Sequence, residues 1–286
     1  MRVLVTGGAG QLGTDLAAAF ADPGHHEVAN PGRDRLDVSD RDSVAAAVGG
    51  WKPDLVVHAA AWTDVDGCEA DPDRAWLVNA LASRHVAEAA AAVGAHLVYV
   101  STDYVFDGSS PRPYTEWDAP APISVYGRSK LAGEREALSV APGAAVVRTS
   151  WLCGAHGRNM LKTVLRLAAG QGVLRFVDDQ RGCPTFTEDL AGALYRLGVG
   201  RRPGIFHVTN QGATTWYGFA REVVAAAGGD PGRVEPIATA QLEPPRPAGR
   251  PANSVLDNAA LRLGGEALLA DYHQPLERTV RALAAS

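Results

Sequence analysis

The chain has 286 residues, with 27 lysines and arginines against 32 aspartates and glutamates, so its formal charge is −5. Hydrophobic residues make up 46% and charged residues 21%, values typical of soluble globular proteins, which excludes a disordered, collagen-like or disulfide-rich chain. The negative balance and the lack of a basic cluster interleaved with aromatic residues argue against nucleic acid as a partner.

The first half of the sequence alternates short apolar runs with alanine-rich helical stretches. Strands are predicted at residues 2–6, 27–29, 54–58, 96–102 and 144–148, and helices at residues 11–21, 43–48, 74–93 and 126–138. Continuous apolar strands separated by helices are typical of a parallel sheet with both faces covered. We therefore predict an α/β fold, with a doubly wound parallel sheet in residues 1–150.

Beyond residue 150 the alternation is looser. Helices are predicted at residues 159–169, 188–198, 215–227, 258–263 and 275–284, and short strands near residues 173–176 and 205–208. The proline-rich residues 243–251 are predicted to form an extended loop, because proline lacks an amide donor and disfavours helix. Residues 151–286 are therefore expected to form mainly a smaller α/β substrate lobe, with an approximate boundary that leaves room for interleaved segments.

Cysteine, histidine and hydrophobic patterns narrow the class of protein further. The three cysteines lie far apart without a CxxC pair, and the eight histidines show no metal-ligand spacing, so neither a disulfide nor a metal site is predicted. No apolar run of about 18 residues and no signal peptide are evident. A cytoplasmic protein with no membrane partner is expected.

A glycine-rich turn directly follows the first predicted strand and opens the first helix. Gly7 allows a tight turn, Gly10 lets the backbone approach a pyrophosphate, and Gly13 lets helix and strand pack closely. The helix N-terminus adds amide donors and a positive dipole. This context predicts a Rossmann-type NAD(P)-binding domain, whose further cofactor contacts are Gln11, Leu12, Ala59, Ala60 and Ala61.

The residues that follow the second strand bear on the choice of dinucleotide. At this position an acidic residue suits the ribose 2′-hydroxyl of NADH, whereas an arginine suits the 2′-phosphate of NADPH. Arg33 favours NADPH, and Asp34 beside it leaves NADH possible. A solvated surface charge is the alternative interpretation of Arg33. Asp37 and Val38 are predicted to lie near the adenine edge.

Tyr126 and Lys130 stand four residues apart on a predicted helix, so their side chains share one face. An ammonium near a phenol favours phenolate and lowers a pKa that starts near 10, which suits proton transfer. Only three of the 27 cationic residues are lysines, so a lysine at this spacing is notable. Ser101 and Thr102 end the fourth strand, and Thr102 is predicted to face a substrate carbonyl because alternation gives the two hydroxyls opposite faces.

Longer stretches around these residues resemble the extended short-chain dehydrogenases/reductases and, within them, the dTDP-4-dehydrorhamnose reductase family. The glycine turn and the Tyr/Lys pair are features of the superfamily, whereas STDYVF at residues 101–106 and RTSW at residues 148–151 point to this family. Further matching stretches cover nearly the whole chain in order: residues 59–66, 126–134, 179–185, 214–217 and 250–254.

The resemblance implies NAD(P)H-dependent reduction of the 4-keto group of dTDP-4-dehydro-L-rhamnose to dTDP-L-rhamnose. It implies that Tyr126 gives the proton to the carbonyl oxygen, that Lys130 lowers the pKa of Tyr126 and holds the ribose, and that Thr102 polarises the ketone. The expected contacts to the sugar nucleotide are Thr63, Val65, Asp103, Tyr104, Trp151 and Arg250.

Alternatives remain open at this point. The same chemistry would serve another NDP-deoxysugar, and the resemblance extends to a non-catalytic, dinucleotide-binding regulatory subunit of methionine adenosyltransferase. Trp62 departs from the smaller or histidine side chain common in relatives. Some relatives hold a divalent ion between subunits; Asp15 and Glu188 fall at plausible positions, but without a third acid no such site is predicted. The protein is expected to be a monomer or a homodimer.

Overall fold

The computed structural model describes residues 1–21 and 26–285. Its strands are, in chain order, β1 (Arg2–Thr6), β2 (Glu27–Ala29), β3 (Leu55–His58), β4 (His96–Thr102), β5 (Ala145–Thr149), β6 (Leu152–Cys153), β7 (Leu174–Val177), β8 (Arg181–Gly182), β9 (Thr185–Phe186), β10 (Gly204–His207), β11 (Thr214–Thr215) and β12 (Val234–Ile237).

The α-helices are, in chain order, α1 (Gln11–Ala21), α2 (Arg41–Trp51), α3 (Val65–Ala70), α4 (Pro72–Trp76), α5 (Ala82–Ala92), α6 (Val125–Val140), α7 (Met160–Ala168), α8 (Thr187–Val199), α9 (Trp216–Ala226), α10 (Ala259–Leu263) and α11 (His273–Ala284). A π-helical turn covers Leu77–Leu81, and 3₁₀ turns cover Asp103–Val105, Pro231–Arg233 and Thr239–Gln241.

Among the described residues, six parallel strands form the main sheet, in the order β10-β5-β4-β3-β1-β2. Strands β3, β4 and β5 are buried along their whole length. From β1 the chain moves outward to β2, and it then returns to place β3, β4 and β5 on the other side. Such a reversal separates the loops after β1 and β3, which opens a crevice at the carboxyl ends of the strands. The predicted α/β fold with a doubly wound parallel sheet is confirmed.

Apolar layers lie on both faces of the main sheet. One face packs against α1 and α8, where Leu16, Phe20 and Leu194 are fully buried. The other face packs against α2, α5 and α6, where Val48 and Val86 are buried. Each buried side chain of this kind contributes about 1.5–3 kcal/mol, so these layers fix the sheet on which the crevice is built.

Segments that follow residue 150 return to the main sheet. β10 pairs with β5, α8 packs against α1, and α10 packs against β10. The strand predicted near residues 205–208 therefore belongs to the main sheet and not to a separate lobe. The predicted boundary at residue 150 coincides with the end of β5, after which the chain does not rejoin the main sheet until β10. The other late elements, α7, α9 and α11 with β7 and β12, enclose their own core around Leu161, Phe219 and Val223.

The helix predicted at residues 74–93 has a different shape in the structure. The π-helical turn Leu77–Leu81 joins α4 to α5, so the chain stays helical from Pro72 to Ala92 but widens in the middle. Asn79 lies in this turn and is buried. Apolar periodicity does not reveal such a turn, because it shifts the backbone hydrogen bonds by a single residue.

Local capping explains a smaller difference at α2. This helix begins two residues before the predicted start, because the Asp40 carboxylate accepts hydrogen bonds from the backbone amides of Asp42 and Ser43.

Residues 243–251 contain no helix or strand, as the prolines predict. Across the residues that the structure describes, no helix combines the length and the apolar character needed to cross a membrane.

A buried ion pair joins α6 to the main sheet. Glu134 on α6 accepts hydrogen bonds from Arg148 on β5 at 2.9 and 2.8 Å and from the Ser101 hydroxyl on β4 at 2.5 Å. Both charged side chains are only 2% exposed. Arg148 also donates to His207 Nε2 at 3.5 Å, since His207 Nδ1 lies 3.1 Å from the carbonyls of Tyr114 and Asp257. The pair therefore fixes the position of α6 relative to β4 and β5.

Removing one partner of this pair is expected to destabilise the protein strongly. Glu134→Ala leaves the Arg148 guanidinium buried without its carboxylate, and the free energy of unfolding should fall by about 3–5 kcal/mol. Urea denaturation measures the change. Glu136→Ala is the matched control, because Glu136 lies on the same helix but pairs with the exposed Arg84, and it should change stability little. An equal effect of both substitutions would contradict the assigned role of the pair.

Candidate active site

In the described part of the chain, two adjacent cavities occupy the crevice at the carboxyl ends of β1, β3 and β4. The central cavity has a volume of about 400 Å³ and the outer cavity about 260 Å³, and both are lined by Gly7, Gly10, Ala59 and Ala61. Other predicted residues in the central cavity are Gln11, Leu12, Gly13, Thr63, Val65, Thr102, Asp103, Tyr104, Tyr126, Lys130 and Trp151. Those in the outer cavity are Arg33, Asp37, Val38 and Ala60.

The glycine turn brings the backbone of β1 against the loop after β3. Gly7 has a φ of +72°, and a Cβ atom there would lie 2.9 Å from the backbone of Ala60. A Cβ atom on Gly13 would overlap the carbonyl oxygen of Gly7. The turn is therefore accessible only to glycine at these positions, and it exposes the N-terminus of α1 to the cavities.

Tyr126 occupies the first turn of α6, which Ser124 caps by accepting a hydrogen bond from the Gly127 amide at 3.1 Å. The Tyr126 ring is 8% exposed and meets the Tyr104 ring edge-on, with centroids 5.8 Å apart. Burial raises the pKa of the Tyr126 phenol well above its usual value, and a hydrogen bond with Thr102 lowers it in part. The phenol is therefore held in its protonated form at neutral pH.

Lys130 lies one turn further along α6, as the spacing predicts, but its ammonium contacts a different group. Nζ donates to the carbonyl of Val100 at 2.8 Å and lies 4.2 Å from the centroid of the Tyr99 ring. Among the described residues, no hydrogen bond joins this ammonium to the Tyr126 phenol, because its bond to the buried carbonyl of Val100 directs it to β4. Burial lowers the pKa of Lys130 to about 7, and the charge of Glu134 opposes this change.

The hydroxyls of Ser101 and Thr102 point in opposite directions, as strand alternation predicts. Both residues line the central cavity, but the Ser101 hydroxyl donates to the buried Glu134, whereas the Thr102 hydroxyl donates to Asp103 at 3.0 Å. Burial raises the pKa of Asp103 to about 7, although hydrogen bonds from Ser254 and Thr102 favour the carboxylate. Thr102 and Tyr126 thus place two hydroxyl groups in the same cavity as the carboxyl group of Asp103.

Two stacked indoles form the opposite wall of the central cavity. The ring centroids of Trp151 and Trp216 are 3.5 Å apart with planes 7° from parallel. Trp151 has a φ of +48°, a left-handed conformation that is rare for a bulky residue and often marks a functional site. A Cβ atom on Gly182 would overlap the Trp151 indole, so only glycine leaves room for this ring.

Arg33 lies at the outer cavity and forms an ion pair with Asp37 at 3.2 Å. Hydrogen bonds from the side chain and the backbone amide of Ser39 lower the pKa of Asp37, and Arg33 contributes to the same direction. Because the pair is exposed, it can open in favour of a stronger ligand at small cost. The outer cavity therefore offers both a cation and an anion near the end of β2.

Arg250, which is predicted to contact the substrate, forms an ion pair with Asp66 in this structure. Its guanidinium donates to both carboxylate oxygens of Asp66, at 2.9 and 2.8 Å, and it lines neither cavity. Arg246 pairs with the same carboxylate at 3.1 Å. The hydrogen bond from Arg250 is the main reason why the pKa of Asp66 is lowered to about 2, and the bond from Arg246 acts in the same direction. Asp66 therefore holds the proline-rich loop against α3.

Comparisons with known proteins agree with this arrangement. The family model described as RmlD substrate binding domain matches residues 1–285. A dTDP-4-dehydrorhamnose reductase from Streptomyces griseus is 44% identical, with 99% of this chain and 94% of the relative aligned. The chain belongs to the dTDP-4-dehydrorhamnose reductase family.

Two further proteins resemble this chain along nearly its whole length. A probable dTDP-4,6-dihydroxy-2-methyloxan-3-one 4-ketoreductase from Streptomyces antibioticus is 44% identical over 96% of this chain and 93% of its own. The crystal structure of dTDP-4-dehydrorhamnose reductase from Bacillus anthracis in complex with NADP has a TM-score of 0.94 and 37% identity, and covers 98% of this chain and 99% of its own.

Within this family fold, some residues of the site escape sequence reasoning. Asn79 hydrogen-bonds the backbone of Trp62 and the hydroxyl of Ser129, which links the loop after β3 to α6. Trp216 lines the central cavity, which its position in the sequence does not reveal. Glu134 lies inside the matching stretch 126–134, but the sequence does not show that Arg148 is its buried partner. Only the tertiary contacts reveal these roles.

The depressed pKa of Lys130 predicts a specific pH dependence of stability. The folded chain loses this proton near pH 7, whereas the unfolded chain keeps it to about pH 10.4, so stability should rise with pH between these values. Lys130→Met should remove that rise, measured as the difference from wild type in urea denaturation at several pH values. Lys162→Met, on the outer side of α7, should retain it. Identical pH profiles for wild type and Lys130→Met would contradict the prediction.

Proposed function

We propose that the protein reduces the 4-keto group of dTDP-4-dehydro-L-rhamnose to dTDP-L-rhamnose with NADPH as the hydride donor. The observation that carries the proposal is that Thr102, Tyr126 and Lys130 line one cavity continuous with the glycine turn. The relative from Streptomyces griseus is named for this activity, and 94% of its length aligns with this chain.

The residues at the two cavities fit a dinucleotide. The glycine turn and the N-terminus of α1 would hold the pyrophosphate, because a Cβ atom at Gly7 or Gly13 has no space. Arg33 would meet the 2′-phosphate of NADPH, which is consistent with the NADP complex of the Bacillus anthracis relative. Lys130 would hold the nicotinamide ribose. When bound, the reduced cofactor supplies a hydride.

The proposed mechanism follows from the polar groups of the central cavity. The hydroxyls of Tyr126 and of Thr102, the latter turning from Asp103, would donate to the ketone oxygen, which withdraws electron density from the carbonyl carbon. As the carbon accepts the hydride, Tyr126 transfers the proton of its Oη atom to the oxygen, and the product is an alcohol. The Lys130 ammonium, on the same face of α6, would then favour the phenolate through its charge, without a direct hydrogen bond, until the solvent returns a proton. Because burial keeps the phenol protonated, Tyr126 begins the reaction as an acid.

The sugar would lie between this hydroxyl pair and the indole wall. Tyr104 and Trp151 line the same cavity as Tyr126. Flat aromatic faces suit the apolar side of a deoxysugar ring. Reduction of another dTDP-linked 4-keto sugar is the second candidate, because the Streptomyces antibioticus 4-ketoreductase is as similar to this chain as the rhamnose enzyme.

The decisive experiment mixes the purified protein with dTDP-4-dehydro-L-rhamnose and either NADPH or NADH. Oxidation of the cofactor together with formation of dTDP-L-rhamnose supports the proposal, and no oxidation with either cofactor overturns it. A parallel assay with other dTDP-4-keto sugars compares kcat/KM values. A larger kcat/KM for one of those sugars would favour the second candidate.

Tyr126→Phe is expected to lower kcat about 10²–10⁴-fold, because it removes the proton donor but preserves the ring. The Kd of NADPH, measured by calorimetry, should stay unchanged. Tyr195→Phe is the matched control, since Tyr195 lies on α8 and its hydroxyl faces His26. Full activity of Tyr126→Phe would overturn the catalytic role assigned to Tyr126, whereas a wild-type protein that binds NADPH but oxidises it with no sugar would favour a non-catalytic, dinucleotide-binding role.

Gly182→Ala tests the indole wall independently of the reacting groups. The new methyl group displaces the Trp151 ring, so kcat/KM for the sugar nucleotide should fall about 10–100-fold. The Kd of NADPH should not change. Gly172→Ala is the control, because a Cβ atom at Gly172 meets no other atom within 4 Å. Unaltered kinetics in Gly182→Ala would exclude the Trp151 wall from substrate binding.

A further inference from the structure

Two arginines reach the outer cavity from different elements. Arg33 follows β2, whereas Arg74 lies in α4, beyond β3. Val78, four residues after Arg74, lines the same cavity, so this face of the helix is turned toward it. The proposed function uses Arg33 and leaves Arg74 without a role.

The two guanidinium groups are held in different ways. Arg33 is paired with the Asp37 carboxylate. The Cζ atom of Arg74 lies 4.3 Å from the centroid of the Trp62 ring, and no carboxylate of the described residues pairs with it. Arg74 is exposed, so its charge remains available to a ligand in the cavity. A planar cation fixed on an aromatic face presents its other face to whatever enters.

The Trp62 indole is a rigid support for this cation. Its backbone amide donates to Asn79 Oδ1 at 2.8 Å, and its carbonyl accepts from Asn79 Nδ2 at 3.1 Å. The ring packs against the cluster that contains Cys68 and Ala75, and a Cβ atom on Gly67 would lie 3.0 Å from it. The Asp71 carboxylate accepts from the Arg74 amide, which fixes the start of α4.

We propose that Arg74, supported by Trp62, stacks on the adenine ring of the dinucleotide, separately from Arg33 at the 2′-phosphate. This inference rests on the proposed function, because it requires a dinucleotide in the outer cavity. Guanidinium planes stack on nucleic-acid bases, and the small Ala60 and Ala61 and the apolar Val78 also line this cavity. Arg74 thereby determines the affinity for the adenosine end without selecting between NADPH and NADH.

Calorimetric titration of the full-length protein with NADPH, with NADH and with reduced nicotinamide mononucleotide tests this role. Arg74→Ala should weaken the binding of NADPH and NADH by the same factor, roughly tenfold, because a stacked base is lost from both. It should not affect the mononucleotide, which has no adenine. Arg74→Lys should restore little, because an ammonium is not planar.

Arg33→Ala and Arg175→Ala complete the design. Arg33→Ala should weaken NADPH more than NADH, whereas Arg175→Ala, whose side chain pairs with Glu235 far along the chain, should change neither affinity. A loss confined to NADPH in Arg74→Ala would assign Arg74 to the 2′-phosphate and overturn the inference. Wild-type affinities in Arg74→Ala would overturn it as well. If the wild-type protein bound neither dinucleotide, the proposed function would fail and the inference with it.

Discussion

The buried pair of Glu134 and Arg148 is the interaction on which the geometry of the site depends. Two opposite charges, each 2% exposed, can only remain in the interior if their hydrogen bonds are satisfied together. Ser101 supplies one of those bonds and precedes Thr102 on β4, while Glu134 lies one turn beyond Lys130 on α6. The strand end and the helix therefore meet at one relative position. A displacement of α6 along the sheet would leave a buried charge unpaired. The ion pair therefore fixes the separation of Thr102 from Tyr126.

Burial then determines the protonation states in the cavity above. It raises the pKa of Tyr126, raises that of Asp103 to about 7, and lowers that of Lys130 to about 7. Each of these changes favours the uncharged form, as expected where water is excluded. A phenol that is protonated at rest suits a reduction, in which a proton must be given to the new alkoxide. The negative charge of Glu134 partly restores the ammonium of Lys130, so the same buried pair influences both position and charge.

Asn79 connects the two ends of the crevice. From the π-helical turn it bonds both backbone groups of Trp62, at the outer cavity, and the hydroxyl of Ser129, beside Lys130. The loop that supports Arg74 and the helix that carries Tyr126 are therefore fixed by one amide. Because a buried, hydrogen-bonded amide is costly to disturb, the outer and central cavities keep a constant spacing.

The sequence by itself determined the features that depend on near neighbours in the chain. Strand and helix alternation gave the parallel sheet, the glycine turn needs only Gly7 to Gly13, and the spacing of Tyr126 and Lys130 follows from helical periodicity. The tertiary structure alone decided the contacts between distant residues. It pairs β10 with β5, forms the ion pair between Arg250 and Asp66, and lets the Lys130 ammonium donate to the carbonyl of Val100. The physical reason is that a charged side chain bonds to the best partner within reach, and what lies within reach is set by packing between segments far apart in sequence.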